Sequence, residues 1–183
     1  MYLNINQLEH AADMVRQLTE QQPRNGKYYR LLGDLYDNNK LPRKAADVYE
    51  RAEKIIPNDP YILMGRAEHF LRLGDSLSYI AYQGRAIVSK DLDADTQVGL
   101  FSDLLQSLPN DSVIRKVGLP LSRELVHQHP NDAQIMELFG SLLDGNNQPD
   151  SAVWAYNRSL QIKSSVEVWR RLLNNFWSRH MAD

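Results

Sequence analysis

The 183-residue sequence contains no cysteine. Disulfides, thiolate zinc sites and cysteine nucleophiles are therefore outside its chemistry. A chain without cysteine suits a reducing cytosol and equally an envelope protein stabilised by packing alone. It has no apolar run near the roughly 18 residues that a membrane-spanning helix requires. Its start, MYLNINQLEH, lacks the basic segment and apolar core of a signal peptide. Neither sign of charge dominates: 21 Lys and Arg face 23 Asp and Glu, for a net charge of -2. That balance supplies no electrostatic argument for nucleic acid or membrane binding. Two further absences concern catalysis: there is no Gly-x-Ser-x-Gly elbow and no glycine-rich phosphate loop. No β-type alternation appears either, and apolar residues recur with a helical period.

What the sequence does contain is a repeat. Pro23 and Pro57 lie 34 residues apart, and Pro57 and Pro130 lie 73 apart, two such periods plus five. The segment Pro57-Asn58-Asp59 recurs as Pro130-Asn131-Asp132. Gly33 and Gly140, Ala45 and Ala152, and Tyr49 and Tyr156 are each 107 apart, three periods plus the same five. A single five-residue insertion between Pro60 and Pro130 accounts for all of these offsets.

Within one period the sequence reads Tyr29-x2-Leu32-Gly33-x2-Tyr36, then Ala45-x3-Tyr49, Ala52 and Pro57. This resembles the tetratricopeptide repeat, whose pattern is W-x2-L-G-x2-Y, A-x3-F, P. Tyr29 stands for the Trp and Tyr49 for the Phe. A second copy carries Phe139-Gly140-x2-Leu143 and Ala152-x3-Tyr156, with Ser164 in place of the proline. In the degenerate unit between them, Arg66 replaces the leucine, Ala67 the glycine, and Tyr79 and Gln83 the alanine and aromatic positions.

The resemblance implies an all-α fold: a right-handed superhelical solenoid of antiparallel helix pairs. It divides the chain, 1–183, as one array. Residues 1–25 are the second helix of a preceding unit, and 26–59 are a full repeat. Residues 60–93 form a degenerate repeat, 94–132 a degenerate repeat with the insertion, 133–166 a repeat, and 167–183 a capping or partial helix. The array is read as starting and stopping mid-way, as a piece of a longer protein. Ten helices are expected at about 6–21, 27–39, 42–56, 60–73, 76–89, 94–107, 112–129, 132–145, 148–162 and 165–178. Pro42 and Pro149 suit first-turn positions. Asp75 and Asp132 suit N-caps, and Gly74 and Gly145 left-handed C-caps. Pro120 should kink or split its helix.

Repeat packing is assigned to Tyr29, Leu32, Gly33, Tyr36, Ala45, Tyr49, Ala52, Pro57, Gly140, Ala152 and Tyr156. Gly33 is expected where the first helix of a pair approaches the second near Ala45. The resemblance further implies a concave face lined by first helices that binds a protein or peptide. On this chain it carries Lys27, Arg30, Asp34, Tyr61, Met64, Glu68, Gln134, Glu137 and Ser141, continued by Arg170, Asn174 and Trp177. Some members of the family clamp a terminal carboxylate with Lys and Asn one turn apart. The matching pair here is Arg30 and Asp34, and an acid at the second position repels a carboxylate.

The chain is accordingly read as a non-enzymatic scaffold with no cofactor and no metal. The alternative is a structural module that self-associates or spaces domains, with a possible homodimer through exposed array ends. Asp91, Asp93 and Asp95 alternate as in a calcium loop, but that loop's Gly and Glu positions hold Thr96 and Ser102. An N-cap from Asp93 or Asp95 is the simpler reading. His127 and His129, two apart, point to different helix faces. The sequons at Asn110 and Asn157 match by pattern alone. Trp154, Trp169 and Trp177 are expected to fill the core of the last unit, or, for Trp177, to cover a surface that another repeat or chain would use. From Pro57 to Leu173 the layout is similar to that of tetratricopeptide proteins of Bacteroidetes, which implies the cell envelope or periplasm over the cytoplasm.

Overall fold

Caps and prolines placed at the right points cut this sequence into short helices. The computed structural model describes residues 5–108 and 110–180 and contains, among them, ten helices and no strand. They are α1 (Ile5–Gln21), α2 (Gly26–Asn38), α3 (Pro42–Ile55), α4 (Pro60–Leu73), α5 (Ser76–Ile87), α6 (Ala94–Ser107), α7 (Asp111–Gln128), α8 (Ala133–Gly145), α9 (Pro149–Ile162) and α10 (Val166–His180).

The helix starts have local causes. The Asp59 carboxylate accepts from the Tyr61 and Ile62 amides at 2.9 and 3.1 Å, with Pro60 at the first helical position. Asp132 accepts from the Gln134 and Ile135 amides at 2.9 and 3.0 Å, repeating the device in the recurrent Pro-Asn-Asp segment. Asp75 caps α5, and Asp93 caps α6 by accepting from the Thr96 amide at 2.8 Å. Each cap satisfies amides that the first turn leaves open. The acidic run at 91–95 thus acts as a helix start.

Three turns between paired helices share a left-handed residue at one repeat position: Lys40, Gly74 and Asn147, with φ of 59°, 77° and 54°. Gly74 is therefore a left-handed cap as expected. Gly145 is not: it ends α8 in helical conformation, and Asn147 takes the left-handed place two residues on. Pro120 also departs from expectation, since α7 runs unbroken through it. Pro120 and Lys116, whose carbonyl loses its amide partner, are both exposed. On such an exposed face water can replace the lost amide, which fits the helix continuing.

The chain forms two compact units, Met1–Leu92 and Asp93–Asp183. In the first, α2 packs on α1, α3 and α4, and α4 packs on α3 and α5. Ala12, Leu32, Tyr36, Ala45 and Tyr49 form one buried cluster, and Tyr29, Ala52 and Ile62 another. The Tyr49 ring fills the space against two glycines. A Cβ on Gly33 would lie 2.2 Å from it, and one on Gly65 2.6 Å. The reason for Gly33 is thus the Tyr49 ring rather than Ala45. Pro57 lies exposed in the turn before α4, outside the packing assigned to it. Arg66, at the degenerate leucine position, is half-buried: it pairs with Glu53 of α3 and lies 4.6 Å over the Tyr82 ring of α5. An ion pair with a stacking surface replaces the apolar contact there.

In the second unit α8 packs on α7 and α9, and α10 on α9. Gly140 repeats the device, with the Tyr156 ring 2.7 Å from where a Cβ would stand. Ala152 and Tyr156 are fully buried. Gly118 lets α7 approach Leu105 of α6 and Leu142 of α8. The tryptophans do not fill this core: Trp154, Trp169 and Trp177 are 57%, 53% and 70% exposed. The inward positions of α10 are instead Val168 and Asn175.

Candidate functional site

Helices α2 and α4 stand side by side, so residues 32 to 38 apart in sequence meet across them. Lys27 lies 4.8 Å over the Tyr61 ring. Arg30 donates to Glu68 at 2.5 Å, approaches the Asp34 carboxylate at 3.5 Å, and lies 3.5 Å from the Met64 sulfur. Asp34 in turn accepts from the Tyr49 hydroxyl at 2.9 Å. Farther along, Arg72 donates to Asn38 at 2.8 Å. The six residues expected on this face in the first unit are thus brought together. Five remain at least partly accessible, while Met64 is 5% exposed and lies beneath the ionic layer. The cation Arg30 is engaged by two carboxylates. A terminal carboxylate would have to displace one of them, so the face is not a ready-made carboxylate clamp.

Behind this row sits a pair the sequence did not announce. His69 Nδ1 lies 2.9 and 3.0 Å from the two Asp37 carboxylate oxygens, and both side chains are almost wholly buried. Burial pushes the Asp37 carboxyl up, and the bond from His69 pulls partly against it. The Tyr49 phenol is driven far up, first by burial and then by the neighbouring Asp34 charge. Nothing in sequence spacing marks Asp37 and His69 as partners, because the contact depends on the inter-repeat register.

In the second unit the face lies on α8 and α10, with the order of charge reversed. Arg171 of α10 donates to Ser141 at 3.1 Å and pairs with Glu137 at 3.6 Å. Asp144 accepts from Asn175, and from the Tyr156 hydroxyl at 3.3 Å. Glu137 and Ser141 are thus brought together, and the residue of α10 that reaches them is Arg171. Arg170 instead pairs with Glu167 on its own helix, at 2.7 Å, on the exposed side. Gln134 and Asn174 are exposed. Trp177 is also exposed and belongs to an apolar stripe of α10.

A second concavity in the first unit, of about 490 Å³, lies between α1, α2 and α3, floored by Leu32, Val48 and Ile55. Of its lining cations Arg16, Lys44 and Arg51, two are already held, Arg16 by Tyr36, Asp13 and Glu9, and Lys44 by Glu9 at 2.8 Å. Among the described residues there is no group of three or more His, Asp or Glu placed to hold a metal. No described helix is long and apolar enough to cross a membrane.

Residues 2–60, which span α1 to α3, match the sequence model of the tetratricopeptide repeat family. Over that stretch the chain carries tetratricopeptide repeat sequence. Two solved structures of MamA agree on the fold. MamA from Desulfovibrio magneticus RS-1 is 17% identical over 85% of this chain and 85% of its own, with a TM-score of 0.50. MamA AMB-1 is 14% identical over 85% of this chain and 82% of its own, with a TM-score of 0.52. YrrB, a tetratricopeptide repeat protein with an unusual peptide-binding site, is 15% identical over 90% of this chain and 82% of its own, with a TM-score of 0.48. No curated protein matches the sequence. Tetratricopeptide repeats build protein-interaction scaffolds and bind protein or peptide partners.

Proposed function

We propose that this tetratricopeptide chain is a non-enzymatic scaffold that holds a protein segment along its first helices, chiefly over α2 and α4. The observation that carries this reading is the row Lys27–Tyr61 and Arg30–Asp34–Glu68. It is partly exposed, mixed in charge and fixed by contacts between helices. A face pre-ordered in this way loses little side-chain entropy on binding, which favours recognition over a loose surface of similar composition. Because its charges are already paired, the suited ligand is a segment of mixed polarity that uses Tyr61 for stacking. Strongly acidic and strongly basic segments fit it less well.

The test is selection of a random peptide library against the whole protein, followed by affinity measurement of the enriched peptides. Tyr61→Ala and Arg30→Glu should each weaken binding about tenfold or more, as removal of an anchoring contact does. Peptides whose affinity is unchanged by every substitution in the row would overturn this assignment.

A further inference from the structure

The α10 helix has two apolar sides, one turned to the unit's core and one largely exposed. Val168 and Asn175 are buried in the unit's core, and Leu172 beside them is partly buried. On the other side, Val166, Trp169, Leu173, Phe176 and Trp177 stand 86%, 53%, 59%, 61% and 70% exposed. Their first four positions are spaced three, four and three residues apart, which sets them in one stripe along a helix. Single exposed apolar residues need no account, but a contiguous stripe of three aromatics and two aliphatics does.

We propose that this stripe is a self-association surface on which α10 of one copy packs antiparallel against α10 of a second. Three features point to a second copy. The three-four-three spacing is palindromic about residue 171. In an antiparallel pair Val166 therefore meets Phe176 of the partner, Trp169 meets Leu173, and the same patch serves both copies, as a two-fold interface requires. The area is also adequate. At the size of aromatic side chains the stripe presents roughly 600 Å² per copy, at the top of what monomers leave open. A pair would bury somewhat over 1,000 Å², about the lower bound of a specific interface. The third feature is the poor match of α1 as a head-to-tail occupant. The open side of α1 is mostly polar, carrying Gln7, His10, Asp13 and Gln17 with only Ile5 and Met14 as large apolar residues. This inference does not depend on the reading of the α2–α4 face.

Light scattering and sedimentation equilibrium on the whole protein across concentration should show a monomer–dimer equilibrium. Leu173→Glu and Trp177→Glu should weaken the dimer on the order of tenfold or more with helical circular dichroism unchanged, because both positions are exposed. Trp154→Glu, equally exposed but on α9, should leave the dimer intact. A monomer at all concentrations, or a dimer indifferent to both α10 substitutions, overturns the proposal.

The absence of native cysteine makes orientation testable as well. Arg170→Cys lies beside the two-fold and should form an intermolecular cross-link with a short bismaleimide. Val166→Cys should not, since two copies of that position stand about 15 Å apart along the helix axis. Cross-linking at both positions would mean parallel pairing, and at neither would mean another surface; either result overturns the antiparallel geometry.

Discussion

The two compact units solve one packing problem alike and one charge problem in opposite ways. In each, a tyrosine ring from a second helix enters a gap left by a glycine on the first: Tyr49 against Gly33, and Tyr156 against Gly140. In each, the tyrosine hydroxyl ends on an aspartate of the first helix, Asp34 in one and Asp144 in the other. The charges between successive first helices are then reversed. The earlier helix supplies the cation in the first unit, Arg30 to Glu68, and the anion in the second, Glu137 to Arg171. Close packing tolerates few side chains at the glycine position, so the repeat keeps it. A half-exposed ion pair contributes little in either direction, so its polarity is free to vary.

The glycine–tyrosine contact gives the largest expected effects. Gly33→Leu should destabilise the first unit by about 3 kcal/mol or more, because a side chain must displace the ring of a tyrosine that Gly65 confines from a second helix. Gly140→Leu should cost less, on the order of 1–3 kcal/mol, since its ring neighbour is farther off and no second glycine contact is present among the described residues. Urea titration of both variants tests the ranking, and equal or reversed losses would break the comparison.

High pH comes next. Burial, followed by the Asp144 charge, pushes the Tyr156 phenol up to about 12, while Tyr49 is pushed farther. A raised folded pKa means that the unfolded chain releases this proton first. The contribution is fully present below about 10 and is lost as pH rises from 10 toward 12, at about 1.4 kcal/mol per pH unit. Stability measured across that range should fall in the native protein. It should fall less steeply in Tyr156→Phe and in Tyr49→Phe, with the greater flattening in Tyr49→Phe.

Smaller effects test the charge reversal. Glu68→Gln and Glu137→Gln should each cost roughly 0.5 kcal/mol at low salt and nearly nothing near 1 M salt. A loss that persists in high salt would show that one row matters more to the fold than its half-exposure implies. The turns between paired helices offer a last contrast. Lys40 and Asn147 hold the same left-handed conformation, and Asn tolerates it better than Lys. Lys40→Gly should therefore stabilise by about 0.5–1 kcal/mol, and Asn147→Gly by less. Thermal unfolding of the two variants separates them.

Helix positions were legible from sequence because their causes are local. Apolar period, first-turn prolines and aspartate caps act over three or four residues, and all ten expected helices match the observed ones to within about two residues at nearly every end. Pro120 misled because its cost depends on whether the carbonyl four residues back meets solvent. The site was legible in part. The recurrence of first-helix positions brought Lys27, Arg30, Asp34, Tyr61, Met64 and Glu68 to one face, but period alone did not reveal that Met64 is covered, nor that Arg171 rather than Arg170 reaches Glu137.

The sequence by itself determined the repeat and its helices, since a fixed spacing of small, aromatic and turn residues leaves one way to pair consecutive helices, but that the tyrosine rings fill the glycine gaps was decided by packing. Tertiary structure alone decided that Asp37 and His69 form a buried pair, that Arg66 trades an apolar contact for Glu53 and Tyr82, and that the tryptophans lie outside the core. Those outcomes depend on residues 13 to 32 apart meeting across helices, and on which side of α10 the packing leaves uncovered. A helical period fixes neither.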